Sequence, residues 1–235
     1  MNTHNKIRIT ALNGSPKKNG NTVTLMKWVL EGCQEAGAEV ELIHIKDYSI
    51  QYCQGCHTCL RTGKCVIDDD MRSIYERLNN SEGIVVGSPV YSGEPTALLK
   101  TFLDRLTLFK LYSNIYNTQK TIGVTTSGIA PTKRLAKRLS NFFGRRIGVI
   151  GVKTASLKKG YLPLLESYPK KTPKKARALG KKLVKSIEQN TNPRVFSYWW
   201  ILLLRKYLLS RILKINPEQF AGIIPIWLEN GWLKF

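Results

Sequence analysis

A β-branched, apolar run from Ile7 to Ala11 passes through a polar turn into a helical pattern, Val23 to Ala36. The turn reads Leu12-Asn13-Gly14-Ser15-Pro16-Lys17-Lys18-Asn19-Gly20-Asn21-Thr22. Strand, tight turn and helix in this order are how an open α/β sheet builds an anion site. The first N–H groups of a helix lack intrahelical partners and carry partial positive charge. Gly14 and Gly20 let the backbone approach an anion closely. Ser15, Asn21 and Thr22 offer side-chain donors, and Lys17 and Lys18 add charge. A Walker A loop is excluded, because the two glycines are one residue too far apart and Asn21 stands in place of the lysine. The dinucleotide pattern G-x-G-x-x-G is also missing. A cradle for a phosphomonoester remains. An ordinary βα turn with an asparagine cap is the alternative, and it would not need this density of donors and glycines.

The rest of the chain repeats the alternation. Strand patterns occur at Ile7–Ala11, Val40–Ile45, Gly83–Gly87, Thr121–Thr125 and Ile147–Val152. Helical patterns fall near Thr22–Ala36, Asp70–Asn79, Thr96–Phe109, Thr132–Phe143 and Pro173–Gln189. Such alternation predicts a parallel sheet covered on both faces. Five strands suit a flavodoxin-like three-layer sandwich in the order 2-1-3-4-5, whose ligand sits beyond the strand C-termini at the switch point. The loop after the third strand, Ser88-Pro89-Val90-Tyr91-Ser92-Gly93-Glu94-Pro95, displays an aromatic able to cover one face of a flat ring. The loop after the fourth, Thr125-Thr126-Ser127-Gly128, is again small and polar. Three donor-rich loops on one sheet edge point to a flat, phosphorylated ligand. The alternative for Tyr91 is packing on protein. The expected division is 1–190 as the sheet domain, with a cysteine-rich insertion at 50–68, and 191–235 as a basic, apolar helical extension.

Asn13-Gly14-Ser15-Pro16 with Gly20-Asn21-Thr22, Ser88-Pro89-Val90-Tyr91, and Lys100-Thr101-Phe102-Leu103-Asp104-Arg105 together resemble the flavodoxin-like NAD(P)H-dependent FMN reductases. With its cysteine cluster, the chain is most similar to the iron–sulfur flavoproteins of anaerobes. The resemblance covers roughly Lys6 to Gln189. It implies FMN, with the phosphate at Ser15, Lys17, Asn21 and Thr22. The ring would lie against Pro89, Val90, Tyr91, Ser92 and Gly93 and against Thr126, Ser127 and Gly128. It further implies homodimers or homotetramers with the flavin near a subunit boundary.

Between the second strand and the next helix stand Cys53, Cys56, Cys59 and Cys65, spaced C-x2-C-x2-C-x5-C. Four thiolates this close in sequence can wrap one compact centre, and Gly55 and Gly63 supply turns. A bacterial ferredoxin run has a shorter last gap followed by proline, and its fourth cysteine serves another cluster. Here Val66 replaces that proline, and all four cysteines are available to one centre. The spacing resembles the [4Fe–4S] motif of the iron–sulfur flavoproteins. Alternatives are tetrathiolate zinc, a redox disulfide, or thiols holding no stable centre. Cys53-Gln54-Gly55-Cys56-His57 also matches c-type haem attachment, which needs export. Cys33, inside the first helix, reads as a small buried apolar residue, and His57 as a solvated side chain. Asp69 or Asp70 is expected to cap the following helix. Asp104 and Arg105 suggest an ion pair, either together or across a dimer, and the chemistry requires neither.

Five cysteines, four of them crowded, do not resemble an extracellular disulfide framework. Met1 to Lys6 is polar and has no signal-peptide pattern, so a reducing cytoplasm is expected. The longest apolar run, Tyr198 to Leu204, is far shorter than the ~20 residues of a membrane span. Formal net charge is +21. Between Asp104 and Glu188 the only acidic residue is Glu166, while Lys133-Arg134, Lys137-Arg138, Arg145-Arg146 and Lys181-Lys182 stand among paired cations. Such a field attracts polyanions, or it only keeps the surface solvated. No nucleic-acid-binding motif is present, so nucleic acid is not an expected partner. The segment Val195 to Leu209, with Trp199 and Trp200 among basic residues, suits packing, a dimer arm or an anionic membrane surface.

These features converge on an FMN-dependent oxidoreductase with no catalytic side chain of its own. Electrons would come from NAD(P)H as co-substrate or from reduced ferredoxin, and would leave directly or through the cysteine cluster. The other reading is a non-enzymatic flavin electron carrier.

Overall fold

The computed structural model describes residues 6–113, 118–129, 132–156, 160–161, 170–190, 205–229, 231 and 233. Contacts divide them between two units: 1–49, 70–100 and 116–193 form the first, and 50–69, 101–115 and 194–235 the second.

The first unit is an α/β sheet. Its parallel strands are β1 (Arg8–Asn13), β2 (Glu39–His44), β3 (Gly83–Pro89), β4 (Lys120–Ser127) and β5 (Arg145–Lys153). They lie in the order β2-β1-β3-β4-β5, the flavodoxin-like order expected from the sequence. Helices α1 (Asn21–Glu35), α3 (Met71–Asn79), α5 (Lys133–Phe143) and α6 (Thr172–Glu188) belong wholly to this unit, and α4 (Ala97–Ser113) begins in it. All five predicted strands and all five long helices form, with boundaries shifted by a few residues.

Apart from Arg8 and the half-buried Pro89, every residue of β1, β3 and β4 is buried, as a parallel sheet with two covered faces requires. Val85, Ile122 and Val124 join Leu25, Met26, Val29, Cys33, Leu183 and Val184 of α1 and α6 in one core. A Cβ on Gly123, which points the other way, would lie 2.0 Å from the Ala136 carbonyl oxygen of α5. The sheet is therefore sandwiched. Helices α1 and α6 meet through facing glycines: a Cβ on Gly180 would sit 2.0 Å from the Val29 oxygen, and one on Gly32 would sit 2.0 Å from the Arg177 oxygen. Glycine costs a helix about 1 kcal/mol, and here it allows backbone-to-backbone approach. The Cys33 thiol lies in this seam, 3.6 Å from the Gly180 oxygen, and burial pushes its pKa up to about 12. It is the inert, apolar-like cysteine that its position in α1 suggests. Beside the seam Arg177 and Lys181 pair with Glu31 and Glu35 at 2.7 Å each, so part of the basic field serves this packing.

The second unit packs α2 (Thr58–Thr62), α7 (Ser210–Ile215) and α8 (Ile224–Glu229) around Leu60, Leu213, Phe220, Ile223, Trp227 and Leu233. Gly222 donates its N–H to the Leu60 oxygen at 3.1 Å. Gly63, with φ +73°, ends α2 in the left-handed conformation that glycine adopts without strain. No described helix is long and apolar enough to cross a membrane. The apolar run Tyr198 to Leu204 lies outside the described residues.

Candidate functional site

In the first unit the loops after β1, β3 and β4 leave the same edge of the sheet. Register sets Asn13 beside Gly87, and Pro89 beside Thr126. The chain turns to β2 after β1 and to β4 after β3, so the switch point lies between β1 and β3.

Asn13, buried at the end of β1, organises the first loop. Its side-chain oxygen accepts from Ser15 N at 2.9 Å, and its amide donates to His44 Nδ1 at 2.9 Å. That bond makes His44 Nδ1 an acceptor and puts the ring proton on Nε2. Burial holds the His44 pKa below its usual 6.5, with Lys18 and Lys27 acting in the same direction and Asp47 opposing. Ser15 Oγ accepts from Lys17 N at 3.2 Å, which leaves its own hydrogen to donate outward. Gly14 sits beneath α4, where a Cβ would come within 2.6 Å of Leu99 Cβ. Its carbonyl accepts from Thr96 Oγ1 at 2.6 Å. Helix α1 starts from Gly20 with no side-chain cap. Its positive end is therefore left to the backbone, which suits a phosphate.

Two short bonds join the loops. Thr22 Oγ1 and Thr126 Oγ1 are 2.6 Å apart and buried, and Val90 N donates to the Thr126 oxygen at 2.8 Å. Ser15, Thr22, Val90, Thr126 and Ser127 thus line a buried floor, while Lys17, Tyr91, Ser92 and Gly93 are exposed. Asn21, Pro89 and Gly128 are half-buried. Tyr91 and Glu94 exchange both backbone bonds at 2.9 Å around Ser92 and Gly93, whose φ values are +50° and +84°. This tight turn displays Tyr91 as expected. Arg138 grips Glu94 through two bonds of 2.6 and 2.9 Å. His44, and the orienting role of Asn13, are what the sequence reading missed. A cavity of about 380 Å3, lined partly by Arg8, Glu82 and Lys120, opens at the strands' N-terminal edge, away from the rim that the topology favours.

A model of NADPH-dependent FMN reductases matches residues 7–161. The chain belongs to that family. Among its relatives is an iron–sulfur flavoprotein of Archaeoglobus fulgidus, 35% identical over 52% of this chain and 60% of that one. Another, from Clostridioides difficile, is 27% identical over 95% of this chain and 98% of that one. Among solved structures, an NAD(P)H:quinone oxidoreductase from Methanothermobacter marburgensis superposes with a TM-score of 0.57 at 16% identity, covering 76% of this chain and 99% of that one. At that identity the likeness concerns the fold. The reductase family carries FMN, and the floor just described has the donors and the open helix start that a phosphomonoester needs.

The cysteine segment lies in the second unit. Cys53, Cys56 and Cys65 are exposed, and Cys59 is half-buried in α2. Burial pushes the Cys59 thiol up, with Cys65, Cys53 and Cys56 acting in the same direction. Hydrogen bonds from Thr58 hold the Cys56 thiol down. The donor chemistry fits a tetrathiolate centre. A ready-made coordination shell is not formed, however: no described group of three or more His, Cys, Asp or Glu is placed to hold a metal ion. The reason is local, since 51–57 carry no regular structure and only Cys59 is fixed by packing. His57 is exposed, with φ +59°.

The acidic run does not act as expected. Asp70 occupies the N-cap of α3, but no side chain caps that helix. Its carboxylate accepts from Ser49 N at 2.7 Å. Asp69 accepts from Gln51 N at 2.9 Å and from Arg105 Nη1 at 2.7 Å. Arg105 therefore pairs within the chain, with Asp69.

Proposed function

We propose that this chain is an FMN-dependent oxidoreductase that takes electrons from NAD(P)H or reduced ferredoxin and delivers them to an acceptor, with a [4Fe–4S] cluster at Cys53, Cys56, Cys59 and Cys65. The observation that carries the flavin assignment is the joined floor, Thr22 to Thr126 to Val90, beside an uncapped helix start at the switch point. Ser15, Asn21 and Thr22 bind the phosphate together with the α1 N–H groups, and Lys17 adds charge. Asn13 orients the loop. Pro89 to Gly93 and Thr126 to Gly128 hold the flat ring, and the buried Thr126 and Ser127 exclude water beneath it. Bound FMN would supply both hydride and single-electron chemistry. The spacing of the four cysteines and the relatives' names support the cluster, which would supply single-electron chemistry.

Anaerobic purification, followed by an absorbance spectrum and iron and sulfide analysis, tests both groups together. Flavin bands with about four iron atoms per chain are expected for a [4Fe–4S] protein. Colourless protein that refuses added FMN would sink the proposal. Steady-state oxidation of NADH and NADPH then separates an enzyme from a carrier, because a carrier is reduced only by a protein donor.

A further inference from the structure

The cysteine segment is pinned by one buried cation. Arg105 Nη1 donates to the Gln51 oxygen at 2.9 Å and to Asp69 Oδ2 at 2.7 Å, and Nη2 donates to Asp69 Oδ1 at 3.2 Å. Gln51 N returns a bond to Asp69 Oδ2 at 2.9 Å. Both backbone groups of Gln51 and both oxygens of Asp69 are thereby used, and they bracket the run from Cys53 to Cys65. The Arg105 and Asp69 side chains are only 1% and 3% exposed. The Arg105 Nε–H is also buried and has no hydrogen-bond partner among the described residues. Burial works against the guanidinium charge, but Asp69 and then the Cys65 sulfur hold its pKa above the ordinary value.

We propose that Arg105 is the positioning residue of the cysteine segment: with Asp69 it closes the base of the loop at Gln51, and it reserves its Nε–H for the sulfur of Cys65. A guanidinium is suited to this because its planar fork serves a carboxylate with two nitrogens while a third donor remains. A lysine at the same place has no such fork. A sulfur that accepts a charge-assisted hydrogen bond is both fixed in place and compensated in charge, as partners around metal ligands do elsewhere. The role toward bound iron rests on the cluster reading; the closure of the loop does not.

The test uses the full-length chain purified without metal, as wild type, as Arg105→Lys, and as the double variant Arg105→Met with Asp69→Leu. The double variant replaces a buried ion pair by apolar groups of similar size, a change that folds commonly tolerate, and far-UV circular dichroism checks that it has folded. Hydrogen exchange at the Gln51 amide and iron bound after anaerobic addition of ferrous iron and sulfide are then measured. Both variants are expected to exchange Gln51 at least tenfold faster, and to retain less than half of the wild-type iron. Exchange that stays at the wild-type rate in both variants overturns the clamp, whatever the iron content. Faster exchange with full iron overturns the role toward Cys65. Wild-type protein that takes up no iron overturns the cluster reading, and the exchange measurement still decides the clamp.

Discussion

The rim proposed to hold the flavin and the cysteine segment are built by opposite means. The rim inherits its geometry from a sheet: strand register sets where each loop begins, and buried bonds such as Thr22–Thr126 lock them. Many interactions share the work, so the floor stands ready. The cysteine segment has little regular structure around three exposed thiols, and one residue, Arg105, gathers its base. A distributed scaffold tolerates the loss of one bond, whereas a single buried clamp does not. The comparison can be broken by cutting each region at its most connected point.

The largest effect belongs to Asp69→Ala. It leaves Arg105 buried and uncompensated, which should cost about 3–5 kcal/mol. Urea unfolding should show a clearly lower midpoint. A midpoint within error of wild type would mean that the pair is solvated. Arg72–Glu76, with side chains 75% and 53% exposed, is the control: Glu76→Ala should leave the midpoint within error of wild type, because solvent screens the pair.

Next is Gly14→Ala. The added methyl meets Leu99 Cβ at 2.6 Å, an atom near the α4 backbone that cannot swing away. Overpacking of this kind costs about 1–3 kcal/mol, spent here at the start of the phosphate loop. The Kd for FMN should rise about tenfold by fluorescence quenching, and an unchanged Kd would separate the loop from the ligand. Thr22→Val follows. It preserves shape but strands the Thr126 hydroxyl, a loss of about 1–3 kcal/mol, and it should show the same loosening of FMN more weakly. A wild-type Kd in Thr22→Val would remove its hydroxyl from the phosphate contacts.

Most of the rim was legible in the sequence, and most of the clamp was not. Strand and helix periods are local, so β1, the turn and α1 could be read from Ile7 to Ala36. Glycine and hydroxyl content then marked the loops. The Asn13–His44 bond spans 31 positions and Arg105–Asp69 spans 36, and no period reports such pairs. Local rules actively misled at Asp69 and Asp70. An acidic residue before a helix reads as a cap, yet tertiary partners, Arg105 and the amides of Gln51 and Ser49, took both carboxylates. Gly32 and Gly180 were hidden for the same reason: only the opposite helix shows why nothing larger fits.

The smallest effect sharpens the account of the rim, because it acts through a residue two steps from the ligand. His44 accepts from Asn13 only while its Nδ1 is unprotonated, and Asn13 in turn holds Ser15. Its folded pKa lies below 6.5. The unfolded chain therefore takes up this proton first as pH falls. The stabilisation is fully present above about pH 6.5 and drains away as pH drops toward the folded pKa. Protonation puts donor against donor at Nδ1 and forfeits one hydrogen bond, about 0.5–1.5 kcal/mol. FMN affinity should accordingly fall several-fold between pH 7 and pH 5 in the wild type. His44→Phe removes the titrating group. It should bind FMN more weakly at pH 7, with a flatter profile across that interval. An equally steep profile in His44→Phe would assign the pH dependence to another group, and Asn13 would then hold the loop without help from β2.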